Sequence, residues 1–302
     1  MRPAPGYCPF FLHRTGHVTG VAGSGSRIIF RRTLVSESPT FHTFRSVFAN
    51  LPRPTIFAHR GASAHAPENT LAAFRLAVQH AADGIELDAK LTSDRQVVVI
   101  HDPTVDRTTG QRGSVAKLTL GEIRRLDAGS HYDPSFRGEL IPTLGEVFES
   151  IGNKIWVNIE LTNYTTPFDD LPWLVAEQVR LHHMSGRVIF SSFSPIALWR
   201  IHRLLPGEPI ALLAYPGWRG AWARARLGSL LRTHALHIER SEATPSLLEA
   251  LHRRGCRVHV YTVNQAEDMR SLFLYGVDGI FTDDPALARQ VLLEQHPTGQ
   301  YP

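Results

Sequence analysis

The sequence is short of cysteine and of long apolar stretches, and each shortage excludes a class of protein. It has two cysteines, Cys8 and Cys256, and they show neither a CxxC motif nor a zinc-finger spacing. We therefore expect two unpaired thiols in a reducing compartment rather than a disulfide framework. No apolar run approaches the roughly 20 residues of a membrane-spanning helix, so no transmembrane segment is predicted.

Lysine is also scarce, since the chain has three Lys against 29 Arg. Arginine suits bidentate binding of phosphate, but here it is spread along the chain and no nucleic-acid-binding module is recognisable. The net charge of +4 favours anionic ligands or surfaces only slightly. We therefore predict a small-molecule partner and no nucleic acid.

Residues 1–50 differ in composition from the rest of the chain. They hold six Arg and one acid, Glu37, which is also the composition of an organelle transit peptide. A secretory signal needs a continuous apolar stretch of about 7–15 residues, and apolar stretches here, such as Gly20–Gly23, are interrupted by Gly and Ser. We predict a basic, poorly ordered N-terminal extension over residues 1–50, one domain over residues 51–302, and a cytoplasmic location.

Strand-like segments alternate with helical patterns from residue 54 onward. The strand-like segments are 55–59, 84–91, 96–101, 154–161, 187–193, 209–215, 234–239, 257–263 and 278–283. The helical patterns are 70–82, 143–151, 169–184, 195–204, 220–232, 245–254, 265–274 and 284–293. Such alternation predicts an α/β fold of parallel βα units, and about eight units in roughly 250 residues fit a (β/α)8 TIM barrel. A doubly wound open sheet is the alternative, but its Gly-rich GxGxxG turn is missing.

Two irregularities interrupt this alternation. Nine strands are one more than the barrel needs, so one strand should be short or peripheral. The second and third strands are separated by Thr92–Arg95, which is too short for a crossover helix and predicts a hairpin or a return without a helix. Residues 103–142 are rich in Gly, Asp, Arg and Thr, with a helical piece at 120–126, and predict a small insertion after the third strand.

Ionisable side chains end four strands in succession. They are His59, Arg60, Glu86, Asp88, His101 and Glu160. Alternation along the second strand places Glu86 and Asp88 on one face, about 7 Å apart. Because the carboxyl ends of barrel strands meet at one mouth, we expect all six side chains around one cavity.

These residue types suit one kind of chemistry. Three carboxylates suit a hard cation such as Ca²⁺ or Mg²⁺, whereas zinc would call for His or Cys ligands at set spacing. Two histidines can act as general base and acid, and an arginine suits a phosphate. The combination predicts metal-assisted phosphoryl transfer. For Glu86 and Asp88 taken alone, simple solvation or salt bridging is the alternative, and other histidines, such as His65, are interpreted as bystanders.

A series of motifs then follows in a characteristic order. The motifs are HRG (59–61), PENT (67–70), ExD (86–88), HD (101–102), RTTG (107–110), NIEL (158–161), YTVN (261–264) and GIFTDDP (279–285). Over residues 54–290 the chain resembles the glycerophosphodiester phosphodiesterases. The resemblance implies a TIM barrel that hydrolyses glycerophosphodiesters to an alcohol and sn-glycerol 3-phosphate.

The resemblance also implies a role for each residue of the group. Glu86, Asp88 and Glu160 would hold one divalent cation, Ca²⁺ or Mg²⁺. His59 and His101 would form the catalytic pair, with the glycerol 2-hydroxyl as internal nucleophile and a cyclic phosphate as intermediate. Arg60 would contact the phosphate of the substrate.

Two positions depart from the pattern of that family. Thr162 stands where the family has the lysine of Glu-x-Lys, so a positive charge near the substrate is missing at that position. Tyr261 stands where a tryptophan is common, so an aromatic wall with an added hydroxyl is expected. The missing lysine motivates one alternative, a non-catalytic barrel that binds phosphodiesters.

A second alternative is a lysophospholipase D, whose substrate keeps one acyl chain and which could contact a lipid surface. It requires an apolar groove beside the mouth, which Tyr132 and Phe136 or the Trp218–Trp222 region could supply. In the opening motifs, Gly61 is predicted to let the backbone turn, and 67–70 is interpreted as mainly structural, with Asn69 or Thr70 as helix N-cap.

Overall fold

Eight parallel strands close into a barrel in the computed structural model, which describes residues 48, 50–217, 220, 231 and 233–296. The barrel strands are β1 (Thr55–Ala58), β2 (Gly84–Leu91), β4 (Trp156–Leu161), β5 (Val188–Ser192), β6 (Ile210–Ala214), β7 (Ala235–Glu239), β8 (Arg257–Tyr261) and β9 (Gly279–Thr282). Pairing of β1 with both β2 and β9 closes the ring. The predicted (β/α)8 TIM barrel is therefore confirmed.

Helices follow most of the strands and cover the outside of the barrel. They are α1 (Leu71–Gln79), α2 (Asp106–Thr109), α3 (Leu120–Ile123), α4 (Leu144–Ile151), α5 (Leu171–Leu181), α6 (Pro195–Leu204), α7 (Pro245–His252), α8 (Ala266–Leu274) and α9 (Pro285–Gln295). Hydroxyl side chains begin several of them, and Thr143 forms a reciprocal capping box with Glu146 at the start of α4. The predicted helix at 220–232 lies almost wholly outside the described residues, as does the predicted extension 1–50 apart from residues 48 and 50.

The ninth strand, β3 (Val97–Val99), is the short peripheral one, and it runs antiparallel to β2. It pairs Val99 with Ala89 and Val97 with Leu91, so the connection through Thr92–Arg95 is a hairpin. The carboxyl-terminal part of β2 continues beyond the mouth, and the hairpin reverses the chain there. β3 therefore runs back toward the mouth. His101 therefore reaches the mouth from the opposite direction to the one expected of a parallel strand.

The predicted insertion after the third strand covers this hairpin. Val98 and Ile100 pack with Val105 of the insertion, Val115 and Ile123 in a small apolar cluster separate from the main core. The helical piece predicted at 120–126 is α3. The insertion thus buries the outer face of β3 and fixes the position of the residues that follow it.

Phe48 closes the amino-terminal end of the barrel. Its ring lies 6.3 Å from that of His259 and 4.9 Å from the guanidinium of Arg257, at the start of β8. Together with Leu51 it completes the apolar interior that Phe57 and Phe281 fill. The carboxyl-terminal end is left as the open mouth.

Two further expectations can be compared with the described residues. Cys256 is an unpaired thiol, whereas Cys8 lies outside them. Within the same residues, every helix is too short or too polar to cross a bilayer.

Candidate active site

All six side chains predicted from the sequence line one cavity at the mouth of the barrel. The cavity has a volume of about 200 Å³, and its wall includes His59, Arg60, Glu86, Asp88, His101 and Glu160. Strand geometry explains the convergence, because parallel strands end at the same edge and the β2–β3 hairpin returns the chain to that edge. The rest of the wall includes Asn158, Ser191, Phe193 and His237.

Three carboxylates from neighbouring strands form the floor of this cavity. Glu86 and Asp88 lie on β2, and the register of β2 with β4 places Asp88 directly beside Glu160. One oxygen from each of the three lies within 4.8 Å of the other two. Burial raises the pKa of Glu86 well above its usual value, and the charges of Asp88 and Glu160 add to this effect. Burial, followed by the charge of Asp88, raises the pKa of Glu160 to about 8.

The composition of this cluster fits a divalent cation. Among the described residues, Arg60 is the side-chain cation within 4.0 Å of the cluster, with its Nε at 3.4 Å from Asp88. The side-chain oxygen of Asn158, in the same wall, is buried without a hydrogen-bond partner. Closely spaced hard oxygen donors are the property of a Ca²⁺ or Mg²⁺ site, and a bound cation would favour ionisation of the two glutamates.

A carboxylate orients His59. The Nδ1–H of His59 donates to Asp283 Oδ1 at 2.7 Å, and Asp283 also accepts from Asn264 at 2.6 Å and from Ser63 at 3.0 Å. Burial of Asp283 opposes its ionisation, but the hydrogen bond from His59 and the other donors hold its pKa below the usual value. An ionised carboxylate on Nδ1 leaves Nε2 of His59 available for proton transfer.

His101 is held in the same way by its neighbour in the chain. Its Nδ1–H donates to Asp102 Oδ1 at 2.7 Å, while Arg107 Nε donates to Asp102 Oδ2 at 2.8 Å. The hydrogen bond from Arg107, then that from His101, lowers the pKa of Asp102 to about 2. Both histidines are therefore fixed by ionised carboxylates from different elements.

Arg60 is bound on both sides by acids of the protein. Its Nη1 donates to Glu68 at 2.9 Å, its backbone N–H donates to Glu86 at 3.0 Å, and its Nε faces Asp88. Arg60 has a left-handed backbone, with φ of 54°. At the next residue, Gly61 (φ 87°), a Cβ would lie 2.6 Å from that of Ala73, so the turn requires glycine as predicted.

The PENT segment contributes more to the site than its predicted structural role. Glu68 bridges Arg60 and Arg107, with Arg107 Nη1 at 2.7 Å. Asn69 donates its side-chain amide to Asp88 at 2.9 Å, and Thr70 is the N-cap of α1. The segment therefore begins α1 at Thr70, as predicted, and its Glu68 and Asn69 also hold two residues of the site in place.

Aromatic rings line the opposite part of the mouth. Phe193 stacks on Tyr215 at 4.2 Å between ring centroids and meets Tyr164 edge-on at 5.9 Å. The Tyr164 hydroxyl donates to Glu160, and Tyr261 donates to the carbonyl oxygen of Ala214 at 2.9 Å. The expected aromatic wall is present, and the added hydroxyl of Tyr261 is bound to the backbone of β6.

Thr162, which stands where the family has a lysine, is hydrogen-bonded to a lysine of the neighbouring strand, Lys90. Thr162 Oγ1 donates to the carbonyl oxygen of Ala89 at 2.7 Å and accepts from Lys90 Nζ at 2.8 Å. Burial lowers the pKa of Lys90, and the nearby charges of Asp88 and Glu160 act in the opposite direction. His65, interpreted as a bystander, lies outside the cavity wall and pairs with Asp284 at 3.0 Å.

Several known proteins that are similar to this chain are phosphodiesterases. Residues 59–287 match the sequence model of the glycerophosphoryl diester phosphodiesterase family. A glycerophosphodiester phosphodiesterase from Caldanaerobacter subterraneus subsp. tengcongensis is 41% identical over 205 residues, which are 68% of this chain and 83% of that protein. One from Bacillus subtilis is 33% identical over 225 residues, covering 70% of this chain and 76% of that protein.

Solved structures agree with the sequence relatives. An Oleispira antarctica phosphodiesterase in complex with the product sn-glycerol 3-phosphate has a TM-score of 0.76 and 30% identity, covering 82% of this chain and 98% of that one. A glycerophosphodiester phosphodiesterase from Agrobacterium tumefaciens has a TM-score of 0.69 and 32% identity, covering 78% and 99%. The chain therefore belongs to the glycerophosphoryl diester phosphodiesterase family and is a phosphoric diester hydrolase.

Proposed function

We propose that this glycerophosphodiester phosphodiesterase depends on one divalent cation and uses His59 and His101 as its acid–base pair. Its products would be an alcohol and sn-glycerol 3-phosphate, the product present in the Oleispira antarctica structure. The observation that carries the proposal is one cavity lined by three clustered carboxylates and two histidines. Each histidine is hydrogen-bonded on Nδ1 to a separate carboxylate.

Glu86, Asp88 and Glu160 would hold the cation, Ca²⁺ or Mg²⁺. When bound, it would neutralise phosphate charge and favour ionisation of the substrate hydroxyl. Arg60 would contact the phosphate beside it. Asn69, through its hydrogen bond to Asp88, would keep that carboxylate in position for the cation.

The histidines would move two protons. The Nε2 of one histidine takes the proton of the glycerol 2-hydroxyl while that oxygen forms a bond to phosphorus. The bond from phosphorus to the other alcohol breaks, and the second histidine protonates the departing oxygen. Water then opens the cyclic phosphate with the two histidines in exchanged roles, which restores both protonation states.

A hydrolysis panel tests this proposal directly. Glycerophosphocholine, glycerophosphoethanolamine and lysophosphatidylcholine would each be incubated with protein freed of metal by EDTA, then with Ca²⁺ and Mg²⁺ added separately. We expect release of sn-glycerol 3-phosphate from the two glycerophosphodiesters only after one of the cations is restored, whereas cleavage of lysophosphatidylcholine would release choline and lysophosphatidic acid. Full activity in EDTA would refute the metal dependence, and inactivity on every diester with both cations would favour the non-catalytic barrel.

Lysophospholipase D activity is a second candidate, favoured by an apolar cavity of about 560 Å³. Phe168 and Trp199 line it and are 78% and 55% exposed. The two connections that carry Tyr164 and Phe193 at the mouth, β4–α5 and β5–α6, also lead to these residues. A substrate with its phosphodiester at the mouth could lay its acyl chain on this surface, which would then also contact a lipid surface.

The double variant Phe168→Ser/Trp199→Ser separates the two activities. If the acyl chain lies on this cavity, kcat/KM for lysophosphatidylcholine should fall about 10- to 100-fold, as expected for loss of a buried apolar contact. Hydrolysis of glycerophosphocholine, which lacks the chain, should not change. An equal loss on both substrates, or no loss on either, would contradict this assignment.

A further inference from the structure

Lys90 lies beyond the residues that line the cavity, one cross-strand pair further along β2 than the carboxylates. Side chains two residues apart on a strand share a face, so Lys90 follows Asp88 on the same side of β2, about 7 Å along the strand. In the register of β2 with β4, Asp88 pairs with Glu160 and Ala89 with Leu161. Continuing this register brings Lys90 beside Thr162, and the 2.8 Å hydrogen bond between their side chains agrees with it.

The ammonium group of Lys90 is only partly satisfied within the protein. It has three N–H donors, and among the described residues the Thr162 hydroxyl is the one acceptor within hydrogen-bond distance. Thr162 in turn donates to the carbonyl oxygen of Ala89, so its hydroxyl orientation is fixed as an acceptor toward Lys90. Two N–H donors of a half-buried cation thus remain for a ligand.

Arg60 differs from Lys90 in this respect. Its guanidinium donates to Glu68 at 2.9 Å and its Nε lies 3.4 Å from Asp88, so its charge is paired with two carboxylates, although Nε has no hydrogen-bond partner among the described residues. Lys90 has no carboxylate of the described residues within 4.0 Å of its nitrogen. Of the two cations beside the carboxylate cluster, Lys90 is therefore the one whose charge is not already paired with a carboxylate at contact distance.

We propose that Lys90 binds a non-bridging phosphate oxygen of the phosphodiester and of its phosphate product, with Thr162 holding the amine in place. The inference rests on the proposed function for the identity of the substrate. The proposal explains how a threonine can replace the family's lysine at position 162, because Lys90 of the neighbouring strand then supplies the positive charge. The ammonium would then come from β2 instead of from the residue that follows β4.

Binding of sn-glycerol 3-phosphate, measured by isothermal titration calorimetry in the presence of the activating cation, tests this role without turnover. Lys90→Met keeps the length of the side chain and removes its charge. We expect the Kd of the product to rise about 10- to 100-fold, as for loss of a charge-assisted hydrogen bond. Lys117→Met, in the insertion, is the matched control and should leave this Kd unchanged.

Relocation of the charge is the sharper test. The double variant Lys90→Thr/Thr162→Lys moves the ammonium across the strand pair, and we expect product binding and KM within about fivefold of the wild type. Lys90→Arg should keep part of the affinity because it keeps the charge. Thermal unfolding of each variant, followed by circular dichroism, ensures that only folded proteins are compared.

Several outcomes would overturn the inference. One is unchanged product binding in Lys90→Met. Another is a loss that the relocated lysine does not rescue. A third is a lower affinity of Lys90→Met for the cation in the absence of product, if that loss is large enough to explain the weaker product binding by itself. If the wild type binds sn-glycerol 3-phosphate but hydrolyses no diester, the proposed function fails, while the binding assay still decides the role of Lys90.

Discussion

Charged side chains occupy the barrel mouth along β1, β2, β4 and the end of β3, whereas aromatic rings occupy it along β5, β6 and β8. In the charged half nearly every group is fixed by another, as in the pairs of His59 with Asp283 and His101 with Asp102. In the aromatic half, Tyr215 and Phe193 contact each other by ring stacking, and Tyr215 is 60% exposed. Under the proposed function, the first half would act on the phosphate and the second would contact the rest of the substrate.

Tyr164 joins the two halves. Its ring packs edge-on against Phe193, and its hydroxyl donates to Glu160. Burial, then the charge of Glu160, raises the pKa of Tyr164, so its hydroxyl keeps its proton and acts as a donor. The comparison therefore predicts that substitutions in the charged half reduce turnover on every substrate, while those in the aromatic half change the choice among substrates.

The largest effect is expected from the histidines of the charged half. His59→Ala or His101→Ala should lower kcat by about 10²- to 10⁴-fold on all diesters, because each removes one proton-transfer group. Steady-state kinetics at saturating cation measure this effect. His65→Ala, which changes a histidine of the same loop outside the cavity wall, is the control. Near-normal turnover in both variants would contradict the assignment of proton transfer to His59 and His101.

Loss of an orienting carboxylate should have a smaller effect in the same half. Asp283→Ala leaves His59 in place but removes its acceptor, and we expect kcat to fall roughly 10- to 100-fold, the range for partners that orient functional histidines. Asp284→Ala is the adjacent control. It removes the N-cap of α9, which costs about 0.5–2 kcal/mol of stability, and it should leave kcat unchanged. Equal losses of kcat in the two variants would point to a folding effect.

Cation binding by the charged half should depend on pH. Glu160 of the metal-free protein keeps its proton up to about pH 8, against 4.5 for an ordinary glutamate. Cation binding must displace this proton, and the pKa of Glu86 is raised as well, so affinity should rise by about tenfold or more per pH unit between pH 6 and 7.5. Titration calorimetry in two buffers of different ionisation enthalpy measures the released proton. A pH-independent affinity would contradict the role of Glu160.

The stability of the metal-free protein should change in the opposite direction. Between pH 4.5 and about 8 the folded state binds more protons at Glu160 than the unfolded state does. This contribution to stability is therefore present at low pH and is lost as the pH rises through 8. The increase in Tm caused by the cation should accordingly be larger at pH 8 than at pH 6, as thermal melts with and without cation would measure.

The smallest effect is expected from the aromatic half. Exposed rings can attract a quaternary ammonium group with about 0.5–1 kcal/mol, so Tyr215→Ala should lower the preference for glycerophosphocholine over glycerophosphoglycerol by roughly 2- to 5-fold. Competition between the two diesters measures the ratio. Tyr275→Ala, an exposed tyrosine at the end of α8, is the control. A loss of kcat on both diesters in Tyr215→Ala would erase the distinction between the two halves.

Local patterns in the sequence were enough to predict the strands and the six main side chains of the cavity. Each strand is a short apolar segment, and parallel closure brings the residues at the strand ends together. The sequence did not decide whether β3 runs parallel or antiparallel to the barrel strands, because a short buried apolar segment has the same pattern in both cases. Its position near the mouth was still correct, since the hairpin returns the chain there.

The supporting residues could not be found in this way. Asp283 is 224 positions from His59 in the chain, and only closure of β1 against β9 brings them together. Glu68 and Asn69 lie in a loop whose path no periodicity describes. Lys90 looks like an ordinary polar residue at a strand end until the register with β4 is known.

The closing of the barrel floor by Phe48 has a practical consequence for defining the smallest active unit. The family match begins at residue 59 and β1 at residue 55, so either boundary would suggest that the preceding residues can be removed. A protein that begins at residue 54 would lose both Phe48 and Leu51 from the barrel interior. Truncation of a buried phenylalanine to alanine alone lowers the free energy of unfolding by about 3–5 kcal/mol. Any natural or engineered cleavage compatible with catalysis should therefore fall before Phe48.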